Sequence, residues 1–404
     1  MYSRNLYTDR IFKYLSTPVV KVITGMRRVG KSYFLKLIIA RLQEQGINDE
    51  EIVYIDMESL EYEFIKDYRG LYTYIQEQSK AVTGLVRVFV DEIQEIEDWE
   101  KCIASLLGSE KFDIFITGSN ASLLSSELAT QLSGRYIEFP VYSLGFDEFL
   151  TFTGARSNNT MEVFSTYLKF GGFPALPHFD FDQEVAYQYI NSLYNTILLK
   201  DVVKRHNVRN VTLLENITRY AFDNIGNIFS AKKISDYLKS QRMSIGVETV
   251  QNYLAYICST FALFKVQRYD IKGKRILELH EKYFLGDIGL RHALLGYREA
   301  DISGILENVV FLELKRQGYQ VFIGKLAQYE IDFVATKNNE KIYIQVCYLL
   351  ASQETIEREF RPLRAIKDNY PKYVVSMDTL MGSDDEGIMR INIVDFLLGF
   401  YKKR

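Results

Sequence analysis

The sequence predicts an α/β protein that begins with a parallel sheet and continues through helical segments into a second α/β region. Near-continuous apolar runs alternate with helical patterns within residues 19–141, which is typical of a parallel sheet covered on both faces. The first run leads into GMRRVGKS at positions 25–32, which has the GxxxxGK[ST] spacing of a phosphate-binding loop, and a helical pattern over 32–42 follows. The predicted strands are Val19–Thr24, Ile52–Met57, Val86–Val90, Asp113–Thr117 and Tyr136–Val141.

The phosphate-binding loop predicts a nucleotide site with ATP or ADP and Mg²⁺ as ligands. Its glycines allow backbone N–H groups to close around phosphates, and the following helix N-terminus contributes the positive end of its dipole. Lys31 is expected to reach the β- and γ-phosphates, and Ser32 is expected to bind Mg²⁺. A plain glycine turn is the alternative, but the strand and helix on either side favour nucleotide binding. The predicted nucleotide contacts are Gly25, Arg28, Val29, Gly30, Lys31, Ser32 and Tyr33.

The amino-acid composition indicates which class of protein this is. A chain of 404 residues with 47% hydrophobic and 25% charged residues is expected to form two or three globular domains. The N-terminal residues lack the apolar core of a signal peptide, and no apolar run is long enough to span a bilayer. Three widely spaced cysteines fit reduced thiols. We therefore expect a cytoplasmic protein without a membrane segment, and the net charge of −3 gives no overall attraction to nucleic acid.

An acidic pair follows the third predicted strand. Asp91 and Glu92 come directly after Val86–Val90, and ligands of parallel sheets gather at the carboxyl ends of strands. A carboxylate at that edge can support Mg²⁺, and a second one can polarise an attacking water. We expect Asp91 to support the metal and Glu92 to activate water. A solvated turn is the alternative for an isolated Asp-Glu pair.

Two further polar positions flank the fourth and fifth strands. Asn120, in preference to Ser119, is expected to lie beside the γ-phosphate as a sensor; the alternative is a turn that caps a helix over 121–128. Arg135 precedes the fifth strand and is expected to reach the γ-phosphate of a neighbouring subunit as an arginine finger. This role predicts a homo-oligomer, whereas the alternative for Arg135 is a surface arginine on a turn.

These segments together resemble the AAA+ branch of P-loop ATPases, through GMRRVGKS, VFVDEIQ, ITGSN and LSGR. A closer resemblance is to prokaryotic AAA+ ATPases with a C-terminal domain of unknown function, through QEIEDW (94–99), YLKFGGFP (167–174) and LKDVVKR (199–205). The resemblance implies an ATPase core at 1–141, a helical lid at 142–198 and Mg²⁺-dependent ATP hydrolysis. One departure from the family pattern is that the predicted lid region contains no clear arginine at a second sensor position. Gly171-Gly172-Phe173-Pro174 is expected to be either a hinge or a helix stop.

Residues 199–300 are expected to form a domain that resembles a winged helix-turn-helix. Fourteen basic and seven acidic side chains lie within 199–278. A helix over 228–238 and a second one over 248–260 precede a basic hairpin with strands at 264–270 and 275–279. In that geometry the second helix enters the major groove of DNA and the hairpin contacts phosphate. Docking of a protein is the alternative. The candidate base-contacting residues are Ser244, Thr249, Gln251 and Asn252.

Residues 301–404 resemble a restriction-endonuclease-like domain. Asp332 matches the first metal-binding acid of that fold, and Glu307 matches an accessory acid on the first helix. At the Glu-x-Lys positions the chain has Gln345 and Cys347, which cannot provide the carboxylate and the ammonium. Lys341 lies four residues before Gln345, at the beginning of the strand, and not at the lysine position. We therefore expect a domain without nuclease activity, and an ordinary α/β domain is the alternative.

The sequence thus predicts a Mg²⁺-dependent ATPase that couples its nucleotide state to the binding of double-stranded DNA or a partner protein. Two alternatives stay open. One is a slow nucleotide-dependent switch with little turnover. The other is an ATP-regulated nuclease that uses Glu307, Asp332 and Gln345.

Overall fold

The structure, a computed structural model, describes residues 2–121, 131–132, 134–154, 160–243, 245–379, 382–383 and 387–399, and only the backbone of 278–280. The chain forms two compact units. The first comprises residues up to 141 together with Ser259–Phe261, and the second comprises 142–258 and 262–404. The finer division into segments 142–198, 199–300 and 301–404 stays a prediction. The predicted helix over 121–128 and the residue Ser244 lie outside the described residues, apart from Ala121.

The first unit contains a five-stranded sheet in which every neighbouring pair of strands is parallel. The strand order is β2-β3-β4-β1-β5, so that β1 lies between β4 and β5. This arrangement confirms the predicted parallel sheet. The apolar side chains of the central strands are almost fully buried, as expected for a sheet covered on both faces. The strands are β1 (Val20–Thr24), β2 (Ile52–Asp56), β3 (Val86–Asp91), β4 (Phe112–Gly118) and β5 (Tyr136–Pro140).

Except for the first, which precedes the sheet, the helices described in the first unit each follow a strand and bury an apolar face. The second helix begins immediately after Gly30 and buries Phe34, Leu35, Ile38 and Leu42, which recur at the spacing of one helical face. The third helix begins at the cap Asp67, whose carboxylate accepts hydrogen bonds from the next turn. The helices are α1 (Asn5–Ile11), α2 (Lys31–Glu44), α3 (Tyr68–Gln78) and α4 (Trp99–Gly108).

The second unit contains a mixed eight-stranded sheet in the order β12-β13-β11-β10-β9-β8-β6-β7. β8, β9 and β10 are antiparallel neighbours, whereas β10, β11 and β13 pair in parallel. The strands are β6 (Leu263–Asp270), β7 (Arg275–Leu285), β8 (Gln320–Leu326), β9 (Tyr329–Lys337), β10 (Glu340–Val346), β11 (Lys372–Ser376), β12 (Gly382–Ser383) and β13 (Met389–Asn392).

Helices fill most of the second unit before the hairpin and flank the sheet after it. They are α5 (Phe146–Phe152), α6 (Thr160–Phe170), α7 (Gln183–Thr196), α8 (Val211–Asp223), α9 (Ala231–Ser240), α10 (Val247–Ser259), α11 (Ile288–Leu295), α12 (Ile302–Arg316), α13 (Gln353–Arg364) and α14 (Ile393–Leu397), with a π-helix at Ile197–Lys204 after α7. Among the described residues, no helix has the length and apolar character needed to cross a bilayer.

The β6–β7 hairpin is part of the C-terminal sheet and not a free wing. The end of β6 pairs in parallel with β8, where Arg268 lies opposite Ile323. Beyond β6, the Ile271 N–H donates a hydrogen bond to the Lys325 carbonyl over 2.9 Å. The sequence placed the hairpin and the C-terminal strands in separate domains. The structure instead joins them by backbone hydrogen bonds into one continuous sheet.

The Gly171-Gly172 pair ends α6 and is held in place by Asp287. Gly171 has φ +81° and donates to the Tyr167 carbonyl, which closes the helix. The Gly172 N–H donates to Asp287 Oδ2 over 2.8 Å, and a Cβ atom on Gly171 would lie 2.1 Å from Asp287 Oδ1. Of the two expectations for this motif, the structure therefore supports the helix stop. The positive φ and the close carboxylate explain why glycine is needed there.

Candidate functional site

The phosphate-binding loop joins the carboxyl end of β1 to α2 through unusual backbone angles. Gly25 has φ +149°, and a Cβ atom there would lie 2.2 Å from the Val141 carbonyl oxygen. Gly30 has φ +96° and caps α2 in the left-handed region, and Arg28 also has a positive φ of 63°. Position 25 therefore requires glycine because of the close backbone approach, and position 30 favours glycine because of its positive φ. The resulting turn directs the loop and the first turn of α2 around one site.

Lys31 forms a buried ion pair with Glu92. The Lys31 ammonium lies 3.3 Å from Glu92 Oε1 and donates to the Met26 carbonyl over 3.3 Å. Both side chains are nearly inaccessible to solvent, with 3% and 8% exposure. The pair joins the start of α2 to the end of β3, so two predicted catalytic residues from sequence-distant elements are brought into contact.

Asp91 is buried at the end of β3, where two hydroxyl groups satisfy its carboxylate. Thr117 Oγ1 on the adjacent strand β4 donates to Asp91 Oδ1, and Ser32 also bonds to this carboxylate. Burial raises the pKa of Asp91, and the hydrogen bonds from Ser32 and Thr117 oppose that rise. Asp91 and Ser32 therefore meet at one point, and their oxygen atoms are the donors that Mg²⁺ prefers.

Glu92 is held by three neighbours in a strained conformation. Its φ of 52° places it in the left-handed region, and its N–H donates to Thr117 Oγ1 over 2.9 Å. Gln94 Nε2 donates to Glu92 Oε2. Burial acts to raise the pKa of Glu92, but the Lys31 charge and the Gln94 hydrogen bond outweigh it and hold the pKa below its ordinary value. Glu92 is therefore an ionised carboxylate with a defined orientation.

The N-terminal segment contacts the loop and α2. Arg4 is buried, its Nη1 donates to the Val29 carbonyl over 2.9 Å, and its guanidinium lies over the Tyr7 ring. The Tyr2 N–H donates to the Tyr33 hydroxyl over 2.7 Å. These contacts place the chain before α1 beside two of the predicted nucleotide contacts, Val29 and Tyr33.

Asn120 and Arg135 lie at opposite ends of the sheet. Gly118 at the end of β4 pairs with Thr24 at the end of β1. The chain therefore leaves β4 beside the phosphate-binding loop, and Asn120 follows two residues later. Asn120 is buried, and its Nδ2 lies 3.4 Å from Ser259 Oγ. Arg135 is exposed and precedes β5, whose first residue pairs with the first residue of β1.

That register separates Arg135 from the loop of its own chain. At about 3.3 Å per residue, the length of β1 puts Arg135 roughly 16 Å away. The finger role predicted from sequence therefore requires a second subunit.

The candidate base-contacting residues that the structure describes, and the turn of the basic hairpin, lie at exposed or half-buried positions. Gln251 and Asn252 on α10 are exposed, and Thr249 is half-buried. The hairpin turn carries the exposed residues Lys272 and Lys274. Ser235 on α9 donates to the Ile245 carbonyl over 2.8 Å and thereby fixes the turn between α9 and α10.

A second group of titratable residues lies in the second unit, at the positions compared with a nuclease site. Asp332 Oδ2 accepts from the Val346 N–H over 2.8 Å, and its own N–H donates to Gln345 Oε1 over 3.3 Å. Glu307 on α12 approaches the same place. Lys341, near the start of the strand that bears Gln345, places its ammonium over the Tyr269 and Tyr370 rings, and burial raises the pKa of Cys347 to about 12. A different ammonium, that of Lys282 on β7, reaches these carboxylates.

Several of these residues were missed at the sequence level. Thr117 bridges Asp91 and Glu92, Gln94 orients Glu92, and Lys282 and Glu330 join the second group. The position of Thr117 at the end of β4 was a usable signal, since the strand ends of a parallel sheet share one edge. Lys282 carried no such signal, because its place depends on the pairing of a hairpin with strands far along the chain.

Comparison with known protein families identifies two regions of the chain. Residues 17–150 match the AAA domain, which spans β1 to β5 and includes the loop, Asp91 and Glu92. Residues 161–301 match a domain of unknown function, DUF8612, which extends from α6 to the end of α11 and slightly beyond.

Two solved structures show weak similarity. Orc1 of Aeropyrum pernix, solved in complex with DNA, is 9% identical with a TM-score of 0.34 over 73% of this chain and 92% of its own. Cdc6p of Pyrobaculum aerophilum is 11% identical with a TM-score of 0.31 over 76% and 94%. At such TM-scores neither similarity carries an argument about this protein.

Two relatives match almost end to end. An uncharacterised protein of Haemophilus influenzae is 38% identical over 400 residues, which are 98% of this chain and 99% of that protein. An uncharacterised protein of Methanocaldococcus jannaschii is 32% identical over 93% of this chain and 85% of its own. The protein belongs to the same family as these two relatives, and its residues 17–150 are an AAA domain.

Proposed function

We propose that this protein is a Mg²⁺-dependent AAA+ ATPase that couples its nucleotide state to the binding of double-stranded DNA or a partner protein. One observation carries the proposal: Lys31, Ser32, Asp91 and Glu92 converge behind a strained phosphate-binding loop. Each of these side chains has a distinct chemical task in phosphoryl transfer to water. A glycine turn with only a structural role would not need two buried carboxylates beside a buried ammonium.

The proposed mechanism begins with an exchange of partners at Lys31. Incoming phosphates take over its ammonium, and the loop N–H groups bind phosphate oxygens. Ser32 and Asp91 would hold Mg²⁺, and the ion would supply positive charge to neutralise charge that develops on the phosphates. Glu92, released from Lys31 and still oriented by Gln94, accepts a proton from the attacking water. Asn120 contacts the γ-phosphate from the adjacent strand end.

The completed site requires a second copy of the chain. Arg135 lies one strand length from the loop of its own chain, so its guanidinium is available only to the nucleotide of a neighbouring subunit. It would stabilise the charge of the transition state there. We therefore propose a homo-oligomer whose active sites lie at subunit contacts.

The exposed polar residues of α10 and the basic hairpin turn support DNA as the partner. Gln251 and Asn252 have the side-chain chemistry for contacts with base edges, and Lys272 and Lys274 have the charge for phosphate contacts. The pairing of β6 with β8 fixes the hairpin, so any contact with DNA uses the turn and not the full length of the strands. A partner protein that docks on the same face is the competing candidate.

Steady-state ATP turnover, measured with and without duplex DNA, tests the proposal. Lys31→Ala serves as the blank, and Lys66→Ala, which removes a surface lysine of the same unit, is the matched control. We expect turnover that requires Mg²⁺, is absent in Lys31→Ala and is unchanged in Lys66→Ala. Stimulation by DNA would support the coupling to DNA. ATP turnover without any response to DNA would favour a protein as the partner. Turnover in Lys31→Ala equal to that of the unmodified protein would refute ATP hydrolysis at this site.

Substitution of Glu92 separates an ATPase from a slow switch. Glu92→Gln keeps the shape of the side chain but removes the base. In an ATPase with continuous turnover, hydrolysis falls by at least 100-fold relative to the unmodified protein. In a switch, the unmodified protein already turns over slowly, and the variant gains a persistent ATP-bound state.

We also propose that the C-terminal region is a restriction-endonuclease-like module without nuclease activity. The order α12, β8, β9, β10, α13, β11 and the placement of Glu307 next to Asp332 support the resemblance. Gln345 and Cys347 support the loss of activity. Incubation of plasmid with Mg²⁺ or Mn²⁺ tests this proposal. Cleavage that Asp332→Ala abolishes would establish the ATP-regulated nuclease instead.

A further inference from the structure

The acidic group in the second unit encloses a lysine ammonium. Lys282 Nζ lies 2.9 Å from Glu330 Oε1, 3.4 Å from Glu307 Oε2 and 4.0 Å from Asp332 Oδ1. The lysine side chain is only 5% exposed. Three carboxylates from α12 and β9 therefore converge on one buried cation. We call Lys282, Glu307, Glu330 and Asp332 the lysine cluster.

The backbone around Lys282 is fixed on both sides. Val266 on β6 lies opposite Lys282 in the hairpin, and Ile228, just before α9, forms an antiparallel bridge with Lys282 from the other direction. The neighbouring Tyr283 carbonyl accepts from the Gly226 N–H over 3.2 Å. These pairings fix the backbone of Lys282 on both sides. The sheet therefore holds the ammonium beside the carboxylates.

The charges of the lysine cluster depend on one another. Burial lowers the pKa of Lys282, but Glu307, Asp332 and Glu330 outweigh this effect, so that the pKa lies above its ordinary value and the ammonium is charged. Burial raises the pKa values of Glu307 and Asp332, and Lys282 opposes that rise. Glu359 on α13 adds further negative charge nearby. Removal of Lys282 would leave several buried carboxylates without their central cation.

We propose that the Lys282 ammonium is the resident cation of this site and takes the place among Glu307, Glu330 and Asp332 that a divalent ion would otherwise occupy. A monovalent ammonium held at 2.9–4.0 Å blocks close approach of a metal, whose oxygen ligands must lie at about 2.0–2.6 Å. Within the described residues, no group of three or more His, Cys, Asp or Glu side chains is arranged to hold a metal ion. The site is therefore closed to metals as long as Lys282 is present.

This arrangement also connects two parts of the sheet. The lysine comes from β7 of the hairpin, whereas the carboxylates come from α12 and β9. The ion pairs therefore attach β7 to α12 and β9 by side-chain contacts, in addition to the backbone pairing of β6 with β8. Lys282 thus has a structural task where a nuclease would have a catalytic metal.

Thermal unfolding of the full chain without nucleotide tests the proposal. Lys282→Met removes the ammonium and keeps most of the apolar stem. We expect this variant to unfold at a lower temperature in EDTA and to regain stability with millimolar Mn²⁺, with at least tenfold tighter Mn²⁺ binding than the unmodified protein. Lys265→Met is the matched control, because Lys265 lies on the same hairpin and pairs with one carboxylate, Glu281. It should show no such response to Mn²⁺.

Two more variants locate the effect. Lys282→Met combined with Asp332→Asn should lose the rescue by Mn²⁺, whereas Lys282→Arg, which keeps the charge, should not bind Mn²⁺ more tightly. A folded Lys282→Met without any response to Mn²⁺ would overturn the proposal. So would stabilisation of the unmodified protein by Mn²⁺ that Asp332→Asn abolishes, and this comparison remains decisive if Lys282→Met does not fold.

Discussion

The Lys31 ammonium and the Glu92 carboxylate form a buried ion pair, with 3.3 Å between Nζ and Oε1. The two groups belong to the loop after β1 and to the acidic pair at the end of β3, so the pair joins the residue that we propose to bind phosphate to the residue that we propose to activate water. In the proposed mechanism ATP would compete with Glu92 for Lys31, and phosphate binding would release Glu92 as the base.

This pair predicts strong coupling between the two side chains. Lys31→Met and Glu92→Gln should each lower the free energy of unfolding by about 3 kcal/mol, since either change leaves one buried charge without its partner. The double variant should lose less than the sum of the two. Chemical denaturation without nucleotide measures the cycle. Simple additivity would show that the charges do not interact.

Thr117 is predicted to be essential for the geometry of both carboxylates. Its hydroxyl donates to Asp91 and accepts from the Glu92 N–H, so Thr117→Val would leave the Glu92 N–H unsatisfied and would remove one of the two hydroxyl groups that bond to Asp91. We expect a loss of about 1–3 kcal/mol in stability and at least a tenfold fall in ATP turnover. Thr151→Val, at an exposed threonine of α5, is the control. Normal turnover in Thr117→Val would argue against this role.

Gly25 is predicted to tolerate no side chain. In Gly25→Ala the added Cβ would lie 2.2 Å from the Val141 carbonyl, so the loop must move and nucleotide binding should be lost. Gly46→Ala is the matched control. Gly46 also has a positive φ, of 91°, but a Cβ atom there would meet no atom within 4 Å. We expect Gly46→Ala to cost about 1 kcal/mol and to bind ATP normally. Calorimetric titration with ATP measures both, and equal binding in the two variants would contradict the steric argument.

Asp287 is predicted to make stability depend on pH. Burial raises its pKa from 3.8 to about 6, although the Gly172 and Gly289 N–H groups oppose the rise. The folded protein therefore holds this proton more tightly than the unfolded chain. The stabilisation is fully present below pH 3.8 and is lost as the pH rises through 6, by about 3 kcal/mol in total.

The comparison with Asp287→Asn isolates this effect. The amide cannot accept from both N–H groups, so the variant should be less stable, and the difference from the unmodified protein should shrink between pH 4.5 and pH 7. Denaturation across this range measures the difference. A constant difference would show that Asp287 does not titrate there.

Arg135 is predicted to act on the nucleotide of a neighbouring subunit. Arg135→Ala and Lys31→Ala should each lack ATP turnover, because one removes the finger and the other removes phosphate binding. A mixture of the two should regain activity, since a contact between unlike subunits combines an intact loop with an intact arginine. Light scattering with ATP should detect a species larger than 47 kDa. A strictly monomeric protein, or an active Arg135→Ala variant, would remove the finger role.

Much of the first unit could be predicted from the sequence because its signals are local. Apolar runs predict the strands, and the spacing of glycines predicts the loop between β1 and α2. Asp91 and Glu92 were placed at the same edge as the loop by one rule, that the carboxyl ends of parallel strands meet. At most of the strand ends, the observed bound differs from the predicted bound by one residue. The register of β5 then decided the place of Arg135, which the sequence alone left open.

In the second unit, local sequence patterns determine less of the structure, because its sheet joins strands that lie far apart in the chain. The sequence by itself indicated the two helices before the hairpin, the start of both hairpin strands and the presence of Gln345 and Cys347 in place of a Glu-x-Lys pair, because each of these depends on residues near one another in the chain. Only the tertiary structure decided that the β6–β7 hairpin joins the C-terminal sheet and that Lys282 lies among Glu307, Glu330 and Asp332. Strand pairing over long sequence separations is set by the packing of whole elements, and no local pattern of residue types records it.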